Sequence, residues 1–327
     1  MACTQIIGTG SYAPSRVITN QELEQRVDTS DTWIRERTGI QERRQAAPEE
    51  ATSDMAVEAA RRALEMAGVA PEELDLIVVG TITADMPMPS CAAFVQAKLG
   101  AKRAFAFDVG AACAGSLYAL SVADQFVRTG QARRALVIGA ELLSRVVNWE
   151  DRNTCVLFGD GAGAMVLSRS PDEGRGILST HLFTDGALAE ILTIPGGGSR
   201  TPMTEEAVRA RLNTLHMNGK EVFKFAVRAL VDSTQEALAA HGLETGQVDH
   251  VIAHQANARI LEATLERLEI PREKCWLNLH KYGNTSSASL PMSLDEAHRA
   301  GRLKRGDVIA MMAIGAGMTW GSAVVRW

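Results

Sequence analysis

Residues 103–120 read RAFAFDVGAACAGSLYAL, and the fold turns on how this stretch is parsed. Phe105, Phe107 and Val109 alternate with other residues at the period of a strand entering a core. Beyond Gly110 the run CAGSLYALSVADQFVRTG takes helical spacing, with Leu117, Leu120 and Ala123 on one face and Gly130 as a stop signal. Cys113 falls at the junction, near the first turn of the predicted helix. A helix N-terminus carries partial positive charge that lowers a thiol pKa from its usual ~8.5. Position thus marks Cys113 as a candidate nucleophile, whereas a free cysteine is ordinarily a small buried hydrophobe. Cys3, Cys91, Cys155 and Cys275 lack such a setting and are read as packing residues.

Working outward, the same order of motifs occurs twice. The first half runs LDLIVVGTIT, FDVGAACAGSLYAL, RALVIGAELL and GAGAMVLS; the second runs VDHVIAHQAN, LNLHKYGNTSSASL, GDVIAMMAIGAG and WGSAVVRW. Asp75 to Val137 spans 62 residues and Asp249 to Ile309 spans 60; Cys113 lies 38 after Asp75 and Asn284 lies 35 after Asp249. Helical patterns intervene: SDMAVEAARRALEMAGV, with a Ser53 or Asp54 cap and a Gly68 stop, and KEVFKFAVRALVDSTQEALAAHGL, ending at Gly242. Strands alternating with helices predict a largely parallel α/β sheet covered on both faces. Two copies predict two βαβαβ-type halves, residues 1–172 carrying the cysteine and 173–327 carrying a histidine and an asparagine. Residues 173–220 fit neither copy and read as surface cover.

Composition sets the limits. With 327 residues, 46% hydrophobic and 22% charged, the chain builds a large folded core. A net charge of −5 argues against general nucleic-acid binding. No apolar run reaches the ~18 residues of a membrane span, and MACTQIIGTG has no leader pattern, so a cytoplasmic protein is expected. Five cysteines without CxxC, and no His or Cys pair at zinc-ligand spacing, support neither a disulfide framework nor a metal site. GTGSYAP lacks the third glycine of a dinucleotide loop, and no GK[ST] follows a glycine-rich run.

His254 ends an apolar strand in VIAHQAN, and Asn284 follows Gly283 in the second-half copy of the Cys113 segment. Alone, His254 could be a structural histidine or a cap and Asn284 a turn residue. A pseudo-twofold axis relating the halves would bring both to the rim that carries Cys113, converging three polar groups on one pocket.

The motifs DTWIRERTGI, GAACAGSLYAL, DRNTCVLFGDGAGA, HQANARI, YGNTSSASLPMSLDEA and GMTWGSAVVRW, spread over essentially the whole chain, resemble β-ketoacyl-acyl-carrier-protein synthase III. The resemblance implies a thiolase fold, layered α-β-α-β-α, a homodimer, and a Cys113, His254 and Asn284 triad. It implies initiation of fatty-acid synthesis, in which an acyl-CoA primer condenses with malonyl-acyl-carrier-protein through an acyl-Cys113 intermediate. Acyl-CoA is then a substrate, and no cofactor is expected. A polyketide-pathway ketosynthase or acyltransferase, or an acyl-CoA thioesterase, would use the same cysteine.

The resemblance also assigns the backbone N–H groups of Cys113 and Ala316 to an oxyanion hole. Ala316 stands in GAGMTWG where the family has glycine, and alanine restricts the backbone. Trp33, Arg37 and Arg152 are implied to hold CoA, since indole and guanidinium groups stack on a purine and arginine pairs with phosphate. Lys224 and Arg259 are implied to dock an acidic carrier. The next basic pair of the family reads Glu266-Arg267 here, and Arg267 is read as a solvated helix face. Met88, before Pro89, matches a residue that caps the partner's acyl pocket, which predicts room for primers longer than acetyl, or branched ones.

Overall fold

The computed structural model describes residues 3–327, and nine strands of it form one mixed sheet. They are β1 (Thr4–Tyr12), β2 (Leu76–Gly80), β3 (Phe105–Val109), β4 (Arg134–Glu141), β5 (Gly161–Arg169), β6 (Gly176–Thr184), β7 (His250–Ala253), β8 (Val308–Gly315) and β9 (Thr319–Arg326). Their lateral order is β7-β8-β9-β6-β1-β5-β4-β2-β3. Counted from the middle, each half repeats one arrangement, β1-β5-β4-β2-β3 and β6-β9-β8-β7, with a lone bridge from Val251 to Cys275 in the fifth place of the second. The halves meet at one residue pair, Thr4 with Ile177, so the two expected sheets are continuous through a narrow seam.

Alternation within strands sets the layers. In β4, Leu136 and Ile138 face α2 (Thr52–Ala67) and α3 (Cys91–Leu99), while Ala135 and Val137 point the other way. In β8, Ile309 and Met311 face that same middle layer, made by Leu117 and Leu120 of α4 (Gly115–Arg128) and Leu290 and Leu294 of α7 (Ser289–Arg299). Val308, Ala310 and Met312 face the outer layer, α5 (Gly219–Ala239) and α6 (Ala258–Arg267). The result is the α-β-α-β-α sandwich that the duplication predicts. All these strand residues are buried, so a one-residue slip would exchange the two sets and is strongly disfavoured.

The duplication is closer than the sequence spacing suggests. Asp75 accepts the backbone N–H of Arg134 through Oδ2, Asp249 accepts that of Val308, and each pair is 59 residues apart. One offset, 174 residues, relates Gly68 to Gly242, Asp75 to Asp249, Ala112 to Ser286, the start of α4 to the start of α7, and β4 to β8. By that register the counterpart of Cys113 is Ser287, and Asn284 pairs with Gly110. Asn284 therefore lies in the expected segment but three residues before the position that mirrors the cysteine.

Two local expectations change. β3 is the edge strand, so Phe105 is 45% exposed, stacked on Phe107 and tilted against Phe126 instead of entering a core. Residues 173–220 are not mere cover: 176–184 form β6, paired along its length with β9, and Leu192, Leu215 and Met217 line the Cys113 cavities. No helix among the described residues is long and apolar enough to cross a membrane.

Candidate active site

Cys113 sits in the one-turn segment Ala112–Ala114 between β3 and α4, buried at 8% exposure. The turn forces Ala112 to φ 45°, a torsion that costs a side-chain-bearing residue about 1–3 kcal/mol and clusters at functional sites. The end of β8 presses on the turn from the other half: a Cβ on Gly315 would stand 2.5 Å from the Cys113 nitrogen. Only glycine allows that approach. Ala316 follows directly, and the Thr319 hydroxyl reaches the carbonyls of Ala111 at 2.9 Å and Ala316 at 3.0 Å, tying the two segments together. Alanine at 316 is tolerated because the left-handed torsion falls on Gly317, with φ 132°.

The thiol departs from the sequence expectation. Burial pushes its pKa up to about 12; the Ser286 hydroxyl opposes that shift and the Glu141 carboxylate adds to it. Desolvation outweighs the helix-start dipole on which the sequence expectation rests. That shift favours the neutral thiol at physiological pH.

His254 ends β7's line, 3% exposed, with Nδ1 3.1 Å from the Ser289 hydroxyl at the start of α7. Thr285 donates to that same Ser289 oxygen at 3.2 Å, an arrangement in which the Ser289 proton can go to His254 Nδ1 and leave the imidazole hydrogen on Nε2. Nε2 is buried without a partner. Burial lowers the His254 pKa to about 4, against an opposing pull from the Ser286 backbone, so the imidazole is neutral at physiological pH. Asn284 is fixed by backbone bonds to Leu157 and Gly159, and its Oδ1 accepts the Ser286 N–H at 2.8 Å. Its Nδ2 is thereby left to donate.

Cys113, His254 and Asn284 line one cavity of about 120 Å³, with Phe223, Gly315 and Met318. A second cavity of about 280 Å³ also reaches Cys113, between Ile82, Leu143, Leu192, Ile194, Leu215 and Ala316. Phe158 lines both beside the cysteine, a role that nothing in the sequence pattern marks. Both walls are mainly apolar. Met88 belongs to neither lining and is 83% exposed on its loop.

Trp33 lies on α1 (Asp31–Thr38), which is capped by the Ser30 hydroxyl on the Trp33 N–H and stopped by Gly39 at φ 82°. The Arg152 guanidinium stands 5.2 Å from the Trp33 ring centroid, held by the Asp28 carbonyl at 2.8 Å. A purine held between two flat groups needs ~7 Å, so the pair as it stands is closed and must part to admit one. Arg37 is exposed at the end of α1, and its carbonyl accepts from Asn257, in the loop after His254.

Lys224 is exposed and pairs with Glu221 at 3.2 Å; the Arg259 guanidinium lies over Phe223 at 5.8 Å. Lys224, Arg228 and Arg267 line a surface hollow together. Arg267, read from sequence as a solvated helix face, thus lines this hollow, as does Arg228, one helical turn beyond Lys224; Asp185 and Glu221 line it too. Among the described residues no group of three or more His, Cys, Asp or Glu is placed to hold a metal ion.

A family model described as 3-oxoacyl-[acyl-carrier-protein] synthase III matches residues 107–186, and its C-terminal counterpart matches residues 238–327. The beta-ketoacyl-[acyl-carrier-protein] synthase III of Caldanaerobacter subterraneus subsp. tengcongensis is 54% identical, over 98% of this chain and 97% of that one. That of Desulfitobacterium hafniense is 53% identical over 100% and 98%. The crystal structure of 3-oxoacyl-[acyl-carrier-protein] synthase III from Aquifex aeolicus superposes with a TM-score of 0.91 at 49% identity, covering 99% of this chain and 100% of that one. The chain therefore belongs to the β-ketoacyl-acyl-carrier-protein synthase III family, the acyl-transferring condensing enzymes that initiate fatty-acid synthesis.

Proposed function

We propose that Cys113 takes the acyl group of an acyl-CoA primer and that His254 and Asn284 serve the malonyl half of the reaction. The Cys113 sulfur attacks the thioester carbonyl, forming an acyl-enzyme and releasing CoA. Malonyl-acyl-carrier-protein then loses carbon dioxide, and charge develops on its thioester oxygen. Donors aimed at that oxygen stabilise the transition state in a dry site. The observation that carries this reading is the pair of free donors on the Cys113 cavity. Asn284 Oδ1 is already engaged, leaving Nδ2, and His254 Nε2 is buried without a partner. The enolate carbon attacks acyl-Cys113, and the N–H groups of Cys113 and Ala316 are assigned to the second oxyanion, on the strength of the segments that Gly315 and Thr319 hold together.

In this reading the 280 Å³ cavity takes the acyl chain, Trp33, Arg37 and Arg152 take CoA, and Lys224, Arg228, Arg259 and Arg267 meet the acidic carrier. A homodimer is supported by exposed Ile82, Met86, Met88 and Phe105, on one loop and the adjoining edge strand. Mixing the protein with a panel of acyl-CoAs, then with malonyl-carrier, tests the order of events. Acyl-enzyme should form first and disappear as 3-oxoacyl-carrier appears. Release of free acid without malonyl-carrier would make the protein a thioesterase instead.

A further inference from the structure

Glu141, at the end of β4, is fully buried and has no part in the chemistry above. Its carboxylate accepts from the Thr83 hydroxyl at 2.5 Å, the Thr81 hydroxyl at 3.3 Å, the Ile82 N–H at 3.2 Å and the Ser286 hydroxyl at 3.1 Å. Both threonine hydroxyls fall on Oε2 and the Ser286 hydroxyl on Oε1, with the Ile82 N–H shared between them, a donor set that suits an ionised carboxylate. The Ser286 proton therefore points at Glu141. That leaves the Ser286 oxygen as an acceptor, and Ser286 and Cys113 line the same cavity. Ser286 cannot drift from this place. Its N–H is held by Asn284, and its φ of 50° is a strained torsion that the surrounding turn imposes.

We propose that Glu141 receives the Cys113 proton through the Ser286 hydroxyl as the acyl group is loaded, and returns it when the condensation releases the thiol. In loading, the Cys113 S–H bond breaks and the S–acyl bond forms. The thiol proton passes to Ser286 Oγ, the Ser286 proton passes to Glu141 Oε1, and the thioester C–S bond breaks to expel CoA thiolate, which takes its proton from solvent. In condensation the enolate carbon bonds the acyl carbon, Cys113 leaves as thiolate, and the relay runs backward. Glu141 ends as it began. The inference rests on Cys113 being the nucleophile.

Two considerations favour this acceptor over His254. His254 is needed with a proton on Nε2 for the malonyl half, so it is not free to accept one there. Its pKa of about 4 makes it the weaker base, whereas burial raises Glu141 to about 7, near the pH at which a general base works best. The other titratable groups that sense Glu141 are Cys113 and Cys91, and burial pushes the Cys91 thiol up beyond any working pH. An inflection near pH 7 in the loading rate would therefore belong to Glu141.

The test is single-turnover loading from acetyl-CoA and a longer acyl-CoA, scored by intact mass between pH 5.5 and 9, on wild type, Glu141→Gln, Glu141→Asp and Ser286→Ala. Wild type should show the inflection. Glu141→Gln and Ser286→Ala should lose it and load ~10²–10⁴ slower, the usual worth of a general base, and Glu141→Asp should recover part of both. Ser286→Ala keeps the remaining contacts of Glu141, so it carries the test if Glu141→Gln fails to fold. A wild-type rate and profile in both Glu141→Gln and Ser286→Ala overturns the relay. Slow loading with the inflection retained also overturns it, by assigning Glu141 a structural role. Absence of any acyl group on wild-type Cys113 would instead overturn the assignment of the nucleophile.

Discussion

Ala112 and Ser286 occupy the same place in the two halves and share a left-handed torsion, with φ of 45° and 50°. Each opens the turn that leads into one of the two middle-layer helices. What differs is the residue set around each turn. The first half supplies Cys113 and Glu141, where the second has Ser287 and Gly315. The second supplies His254 and Asn284, where the first has Gly80 and Gly110. Gly80 must be small, because a Cβ there would lie 2.4 Å from the Gly115 carbonyl carbon. Each half thus contributes groups that the other lacks, and the site exists only where the two meet.

From this division, His254→Ala and Asn284→Ala should still load an acyl group on Cys113 but lose malonyl decarboxylation. Each donor removed should cost ~10²–10³ in rate. Separate assays of acyl-enzyme formation and carbon dioxide release check this, and loss of loading with decarboxylation intact would reverse the assigned roles.

Stability should respond to pH through two buried groups of opposite sign. The folded-state pKa of His254 lies near 4, below the ordinary 6.5. Between those values the unfolded chain binds a proton that the native chain does not, so stability falls as pH drops. Glu141 lies near 7, above the ordinary 4.5, so stability falls as pH rises through that window. Each is worth about 3 kcal/mol, at ~1.4 kcal/mol per pKa unit, and in wild type they oppose. Glu141→Gln removes one slope. Urea unfolding at pH 7 and 4.5 should then show the variant losing about 3 kcal/mol relative to the change in wild type, and parallel behaviour would contradict the burial of charge described here.

Carrier docking should weaken with salt, because an acidic partner approaches a chain of net charge −5 through a local basic cluster. Arg259→Glu and Arg267→Glu should raise KM for malonyl-carrier several-fold and leave KM for acyl-CoA nearly unchanged. Equal rises for both substrates would signal a general defect.

Met88 gives a sharper test of primer choice: its exposed side chain touches neither cavity of its own chain, and in the proposed homodimer it would cap the partner's acyl pocket. Met88→Phe should narrow loading toward acetyl-CoA and Met88→Ala should widen it, in competition among acyl-CoAs scored by acyl-enzyme mass. One unchanged preference across all three proteins would remove residue 88 from the gate.

Much of this was legible in the chain itself. Strand alternation and the paired Asp75 and Asp249 motifs disclose the duplication, because each aspartate ties one strand to its neighbour by the same bond in both halves. Placement of Cys113, His254 and Asn284 on one rim follows from it. Dielectric surroundings do not: in sequence the turn holding Cys113 shows a helix start and its dipole, and only the packing of Gly315 and Phe158 around it reveals how far burial outweighs that dipole. Glu141 escapes for a related reason. It reads as a polar residue ending an apolar strand, and its partners Thr81, Thr83 and Ser286 come from segments up to 145 residues away. Phe105 misleads in the opposite sense, since alternation cannot tell a core face from an edge awaiting a partner.

The most direct measurement is the intact mass of wild type and Cys113→Ser after exposure to acyl-CoA, followed by peptide mapping. The account predicts one acyl group on Cys113 in wild type and none on the variant, whose thermal unfolding should match wild type. Full-rate loading of Cys113→Ser, or an acyl group mapped to Cys3, Cys91, Cys155 or Cys275, would contradict it.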